Sequence, residues 1–193
     1  VSICEDLWVP GTAAALRAAG AEMILNLNAS PYHTDKAGQR MEAIRAAQRE
    51  ADGLAVVYVN QVGGQDELVF DGGSFALDTQ GEMAVSAPEF ETALVPVEVD
   101  FSTPRVIARG PQAARAVGLE NIYRALTLGV RDYVQKNGFK GAVIGLSGGI
   151  DSALTAALAV DALGAENVTT ILMPSRFTSQ MSVDDARAQA ERM

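Results

Sequence analysis

Ala142–Leu146 is a short apolar run rich in β-prone residues, Ser147 to Ile150 is a turn of small residues, and residues 151–163 carry a helical pattern that Gly164 closes. A second apolar run, Val168–Leu172, follows at once. Strand, tight turn, helix and strand in that order form a βαβ unit, whose right-handed crossover makes the two strands parallel neighbours. A parallel sheet covered by helices is therefore the expected frame.

The first hundred residues show the same alternation of apolar runs and helical patterns, the sequence form of an α/β layer structure. Residues 1–4 read as the end of a buried strand. Pro10, Gly11 and Thr12 open an Ala-rich helix to Ala19, which Gly20 closes from the position where only glycine takes a positive φ cheaply. Residues 22–28 (EMILNLN) are the next strand. Met41, Ile44, Ala47 and Ala51 recur at three- and four-residue spacings in residues 37–52, which predicts an amphipathic helix ended by Gly53. Residues 54–60 (LAVVYVN) form a further strand, and Gly63, Gly64, Asp71, Gly72 and Gly73 mark turns between short strands around Val69, Phe75 and Met83. Residues 92–99 are read as a last strand. Residues 101–115 hold two prolines and a glycine with no sustained period, and the boundary between two domains, 1–100 and 116–193, is placed there. Ile122, Leu126, Val130, Tyr133 and Val134 then lie on one face of a helix over residues 120–136, stopped by Asn137-Gly138.

Composition narrows the class of partner. Fifteen Lys and Arg against 24 Asp and Glu leave a formal charge of −9, which argues against a basic surface for nucleic acid or anionic membrane. Any anionic ligand must be held locally. No apolar run reaches the ~18 residues of a membrane span, and the single cysteine, Cys4, forms no internal disulfide, which fits a reducing compartment such as the cytoplasm. The chain opens at Val1 in a strand and stops at Met193 inside a helical pattern, so it is read as an internal piece of a longer protein.

Gly145, Leu146, Ser147, Gly148, Gly149, Ile150, Asp151 and Ser152 (GLSGGIDS) carry a strand into a helix N-terminus, where unpaired N–H groups and the positive end of the helix dipole attract an anion. Gly148 and Gly149 allow close approach to phosphate oxygens, Ser147 and Ser152 add hydroxyl donors, and Asp151 is sensible there if it holds Mg²⁺ that bridges phosphates. The same residues also suit a plain βα turn with Asp151 as N-cap. The cluster SGGxDS after a strand resembles the PP-loop of the ATP pyrophosphatases; it is neither a Walker A nor a dinucleotide G-x-G-x-x-G pattern. The continuation to LMPSRFTS at residues 172–179 and SVDDA at residues 182–186 resembles NAD synthetases, with Phe177 where that family more often has Tyr. The resemblance places Met173 and Pro174 near an adenine ring, although Met173 also suits a core position at a strand end.

Cys4 ends a strand and precedes Glu5 and Asp6, at the carboxyl end of a strand where chemistry in layered α/β proteins is usually sited. A lone cysteine is also an ordinary small core residue. His33, the sole histidine, falls in a loop and reads as solvated. Taken whole, ICEDLW, LNLNASPYHTDKAGQR and VYVNQVGGQDELVFDGGSFALDTQG resemble the carbon–nitrogen hydrolase (nitrilase-like) amidases. That resemblance implies that Cys4 attacks a carboxamide carbon, helped by a Glu base and a Lys from earlier in the family's chains. Neither is assigned to a residue here. Glu5 is not that base, since a carboxylate beside a thiol disfavours the thiolate. Ser30 and Lys36 match the glutamine-contacting Ser and basic residue of the glutaminase branch, although a loop serine and a solvated helix lysine would look the same.

The two halves together resemble the glutamine-dependent NAD synthetases. The resemblance implies the C-terminal part of a nitrilase-like αββα sandwich followed by the start of a Rossmann-like parallel-sheet domain. It also implies ATP and Mg²⁺, glutamine and deamido-NAD as substrates, ammonia passed between sites, and a homo-oligomer. Another PP-loop amidotransferase or a non-catalytic adenine-nucleotide binder are the competing readings. The 193-residue chain alone is expected to be inactive.

Overall fold

The structure is a computed structural model that describes residues 1–102 and 107–193, with the backbone alone at residues 107 and 108. It divides into two compact units: Val1–Gly63 with Leu68–Asn121, and Gly64–Glu67 with Ile122–Met193.

The first unit is built on a five-stranded sheet. Its strands are β1 (Ser2–Ile3), β2 (Met23–Asn28), β3 (Ala55–Asn60), β6 (Phe75–Leu77) and β7 (Met83–Ser86), in spatial order β1-β2-β3-β6-β7. β1, β2 and β3 are parallel, with α1 (Thr12–Ala18) and α2 (Lys36–Glu50) as the crossovers, and β6 and β7 add on antiparallel. β4 (Val62–Gln65) and β5 (Leu68–Asp71) pair with each other, as do β8 (Glu98–Asp100) and β9 (Ile107–Arg109).

Strand register decides what lies under the helices. Ile24, Val56 and Leu77 share one cross-strand row, and Ser2, Asn26, Tyr58 and Phe75 share the next. Side chains alternate between faces along a strand, so both rows face the same side. There Leu7, Ala13, Ile44, Ala47 and Ala51 complete the core. The rows change character toward the carboxyl ends of the parallel strands. Ile24, Val56 and Leu77 are apolar, the Asn26 row is mixed, and Asn28 and Asn60 pair as a wholly polar third row. The core thus grades into hydrogen-bonding groups where β1, β2 and β3 end. On the opposite face Ala76 and Val85 pack with Val57, Val95 and Val97, while Ile3, Leu25, Leu27 and Val59 are exposed.

The second unit contains α3 (Leu119–Lys136) from Ile122 onward, β10 (Ala142–Leu146), α4 (Ile150–Leu163), β11 (Val168–Leu172) and α5 (Gln180–Arg192). β10 and β11 pair in parallel over their full length, as the βαβ pattern requires. Gly138 ends α3 at φ +73°, and Gly164 ends α4 at φ +85°. Leu146, Ala156 and Ala186 form its buried centre, and Tyr123 on α3 donates to Asp161 on α4 at 2.6 Å.

Three local expectations need correction. Residues 92–97 are not strand; the strand here is β8, because Val95 and Val97 spend their apolar side chains on Ala76 and Val85 rather than on a ladder. Gly63 and Gly64 lie inside β4, not in a turn, and a Cβ at Gly64 would stand 3.2 Å from Gly129 Cα, so Gly64 serves close packing. Cys4 is the first residue of a 3₁₀ turn, Cys4–Leu7, not the last of the strand. Of the expected linker, residues 103–106 lie outside the described residues; β9 falls within the rest of it and pairs with β8.

Candidate functional site

Cys4 has φ +47°, a left-handed backbone that is costly for any residue with a Cβ. Its neighbours hold it there. The Asp6 carboxylate accepts from Ile3 N–H at 2.8 Å, Trp8 N–H donates to Glu5 C=O at 2.8 Å, and Leu7 is buried in the core. Asn26, fully buried on β2, donates to Ser2 Oγ at 3.0 Å and reaches the Cys4 carbonyl at 3.4 Å. The thiol is half-buried on a sharp strand-to-helix turn at the carboxyl edge of a parallel sheet. Strained backbone held by its surroundings is how folds present a nucleophile at such an edge.

The second part comes from the segment after β2. Ser30 is buried and fixed from three sides: its N–H donates to Asn60 Oδ1 at 2.9 Å, its C=O accepts from Asn60 Nδ2 at 3.2 Å and from Arg40 at 2.8 Å, and its Oγ accepts from Arg40 Nε at 3.1 Å. Arg40 is itself buried and makes a bidentate pair with Asp71 on β5, both bonds 2.8 Å. Lys36 opens α2 with its ammonium 4.6 Å from the centre of the Trp8 ring, which ends the Cys4 turn. A cation in the first turn of a helix opposes the dipole, so helix stability does not explain it. Tyr58 lies at the middle of the group. Burial pushes its phenol up, against the pull of Arg40, while Ser30, Cys4 and Asp71 also act on it, so the hydroxyl stays protonated. That hydroxyl is buried with no geometric partner among the described residues, as is Asn28 Oδ1.

The structure thus gathers Cys4, Ser30 and Lys36 at one edge. His33 is exposed and offers only its carbonyl, to Lys36 N–H. Sequence reasoning missed Arg40, Asp71, Asn26 and Asn60. Arg40 had a visible signal, since it stands four residues before Ile44 on the stripe that continues through Ala47 and Ala51. A charge on a core-facing stripe asks for a buried partner.

In the second unit the loop between β10 and α4 is tied by its own hydroxyls. Gly149 N–H donates to Ser147 Oγ at 3.2 Å, Ser147 N–H donates to Ser152 Oγ at 3.2 Å, the two hydroxyls are 3.0 Å apart, and Ser152 Oγ donates to Gly149 C=O at 3.0 Å. Gly148 has φ +80°, and a Cβ there would run into the Ser182 backbone at the start of α5. Asp151 is exposed in the first turn of α4, whose N-cap is Gly149, and Ile150 is exposed beside it. Gly145, Leu146 and Ser147 line a cleft of about 200 Å³ with Met173, Pro174 and Ser182. This is smaller than the roughly 300–1,000 Å³ of a whole small-molecule pocket, so it suits one ring of a ligand, not all of it. Gly148 to Ser152 lie outside that lining. Met173 is exposed to the cleft rather than buried as core, and Phe177 is exposed with the Arg176 guanidinium 4.7 Å from its ring.

No group of three His, Cys, Asp or Glu side chains able to hold a metal occurs among the described residues, and no helix there is long and apolar enough to cross a membrane. A cation at the loop would have the Asp151 carboxylate and ligand oxygens, a donor set that suits Mg²⁺, which takes one or two carboxylates plus phosphates and water.

Comparison with known proteins follows the same division. Residues 1–109 match the family model described as carbon-nitrogen hydrolase, and residues 122–193 match the model described as NAD synthase. The whole chain aligns with glutamine-dependent NAD(+) synthetases, at 45% identity over 193 residues in Acinetobacter baylyi and 46% over 202 residues in Rhodobacter capsulatus. It spans 35% of the length of each of these relatives. The solved glutamine-dependent NAD+ synthetase of Acinetobacter baumannii, in complex with ADP, superposes with a TM-score of 0.91 at 45% identity, over 99% of this chain and 36% of that one. The enzyme from Cytophaga hutchinsonii shares the fold at a TM-score of 0.73 and 20% identity, over 99% of this chain and 36% of that one.

Proposed function

The chain belongs to the carbon–nitrogen hydrolase family, and on that premise we propose that it forms part of a glutamine-dependent NAD+ synthetase, coupling glutamine hydrolysis to ATP-driven amidation of deamido-NAD. One observation carries the reading: a single chain holds a thiol on a pinned, strained turn and, in its second unit, a glycine–serine loop at a helix N-terminus. The match of residues 122–193 to NAD synthase and the likeness to full-length relatives support it.

At the first site Cys4 Sγ attacks the side-chain carboxamide carbon of glutamine. Ammonia leaves, and water cleaves the resulting thioester to glutamate. Ser30 donates its hydroxyl to the substrate α-carboxylate and Lys36 supplies a positive charge to it, so the zwitterionic end is held while the amide reaches the thiol. At the second site the N-terminus of α4, Ser147, Gly148, Gly149 and Ser152 hold ATP phosphates, and the cleft beside Met173 takes the adenine. Asp151 would hold a Mg²⁺ ion there, which would supply neutralisation of phosphate charge. The nicotinate carboxylate attacks the α-phosphorus of ATP and pyrophosphate leaves, and ammonia then displaces AMP from the acyl adenylate to form the amide. Assembly into a homo-oligomer belongs to the same proposal.

The test uses a protein of the relatives' full length that carries this chain. Cys4→Ala should abolish NAD+ formation from glutamine and leave formation from added ammonia intact; loss of both in a folded variant contradicts two separate sites. Asp151→Ala should abolish synthesis from either nitrogen source, and unchanged turnover removes its metal role.

A further inference from the structure

We infer that Arg40 is a positioning residue for glutamine selection, acting through Ser30 with Asp71 as its fixed countercharge; this rests on the amidase reading above. A guanidinium only donates, so its Nε bond to Ser30 Oγ at 3.1 Å obliges that oxygen to accept. The one Ser30 proton is therefore turned away from Arg40, toward the side where the Tyr58 hydroxyl also interacts with it and where an arriving carboxylate can take it. The same guanidinium holds the Ser30 carbonyl at 2.8 Å and the Pro31 carbonyl at 3.1 Å, which fixes the backbone on which the hydroxyl rides. Asp71 takes both terminal nitrogens at 2.8 Å.

The charges point the same way. Arg40 is neutralised by Asp71 inside the protein, whereas Lys36, one helical turn earlier on α2, makes no ion pair among the described residues and rests on an indole face. Two cations stand on one helix face, and only Lys36 is left for an arriving carboxylate. Burying a paired Arg and Asp gives no general gain in stability over apolar residues of similar size, so its place behind the proposed substrate contact favours a role in geometry. Arg40 thus discriminates between glutamine and amides that lack an α-carboxylate, without touching the substrate.

The experiment compares Arg40→Lys with wild type in the full-length protein, each checked for native unfolding. It measures glutaminase kcat and KM, hydrolysis of a simple aliphatic amide, iodoacetamide alkylation of Cys4, and NAD+ formation from ammonia. One charge-assisted hydrogen bond is at stake, so KM for glutamine should rise at least about tenfold. Glutaminase kcat, alkylation, simple-amide hydrolysis and ammonia-dependent synthesis should change less than about twofold, because the thiol and the second unit are untouched. In a Ser30→Ala background the same substitution should add no further KM increase. A folded Arg40→Lys protein with unchanged KM, or one in which kcat and simple-amide hydrolysis fall along with glutamine use, overturns the inference. Should Arg40→Lys not fold, Asp71→Asn is required to show the same rise confined to KM, and an unchanged KM there also overturns it. Wild-type protein without glutaminase activity instead refutes the amidase reading itself.

Discussion

At the scale of single residues, the chain places its chemistry on backbone that the sequence does not advertise. Cys4 and Gly148 both take positive φ, but for different reasons. Cys4 carries its strain because Asp6, Leu7 and Asn26 pin the surrounding turn, whereas Gly148 is glycine because the Ser182 backbone leaves no room for a Cβ. Gly148→Ala is therefore expected to cost at least about 1 kcal/mol from φ alone and more from the displaced start of α5. Thermal unfolding should register that loss, and ATP binding by calorimetry should weaken while Cys4 alkylation is unaffected. Cys4, Ser30 and Lys36 were legible from neighbouring motif text. Arg40, Asp71 and Asn60 were not, since a buried polar network depends on which strand ends meet, and Asp71 with Gly72 and Gly73 reads locally as a plain turn.

At the scale of elements, α2 is where stability and function separate. Its stripe of Ile44, Ala47 and Ala51 was read from spacing alone and is buried as expected. Ile44→Ala should destabilise the first unit by about 2–5 kcal/mol, by denaturant unfolding, because a fully buried side chain leaves a cavity. Lys36→Gln at the first turn of the same helix removes an unfavourable dipole interaction and a cation–π contact of similar size. Its stability should shift by less than about 1 kcal/mol while the KM for glutamine rises in steady-state assays. The long, strongly periodic elements α2, α3, α4, β2, β3, β10 and β11 were placed to within a residue or two. The short ones failed where side-chain packing displaced strand propensity, as residues 92–97 show: Val95 and Val97 lean on Ala76 and Val85 while the ladder begins only at Glu98.

At the scale of the whole molecule, the two units meet acid differently from what composition suggests. In the second unit burial would raise the Asp132 carboxyl, but Gly64 N–H at 2.8 Å, Lys136 at 3.1 Å and Arg131 at 3.6 Å together hold it below its ordinary value. A carboxyl lowered in the folded state stabilises above its unfolded value, and that contribution is lost as pH falls through the folded one. The second unit should therefore lose stability below about pH 4, by circular dichroism during acid titration, and Asp132→Asn should flatten that part of the curve. The overall charge of −9 predicted nothing of this, because it counts carboxylates without their partners. One further consequence lies in the fully buried Asn26 carboxamide, whose Nδ2 reaches both the Ser2 hydroxyl and the Cys4 carbonyl. The backbone that carries the thiol is thereby anchored to the middle of the buried sheet and moves with the core row of β2 and β3, so a substitution at Asn26 should reach Cys4 reactivity without touching the thiol.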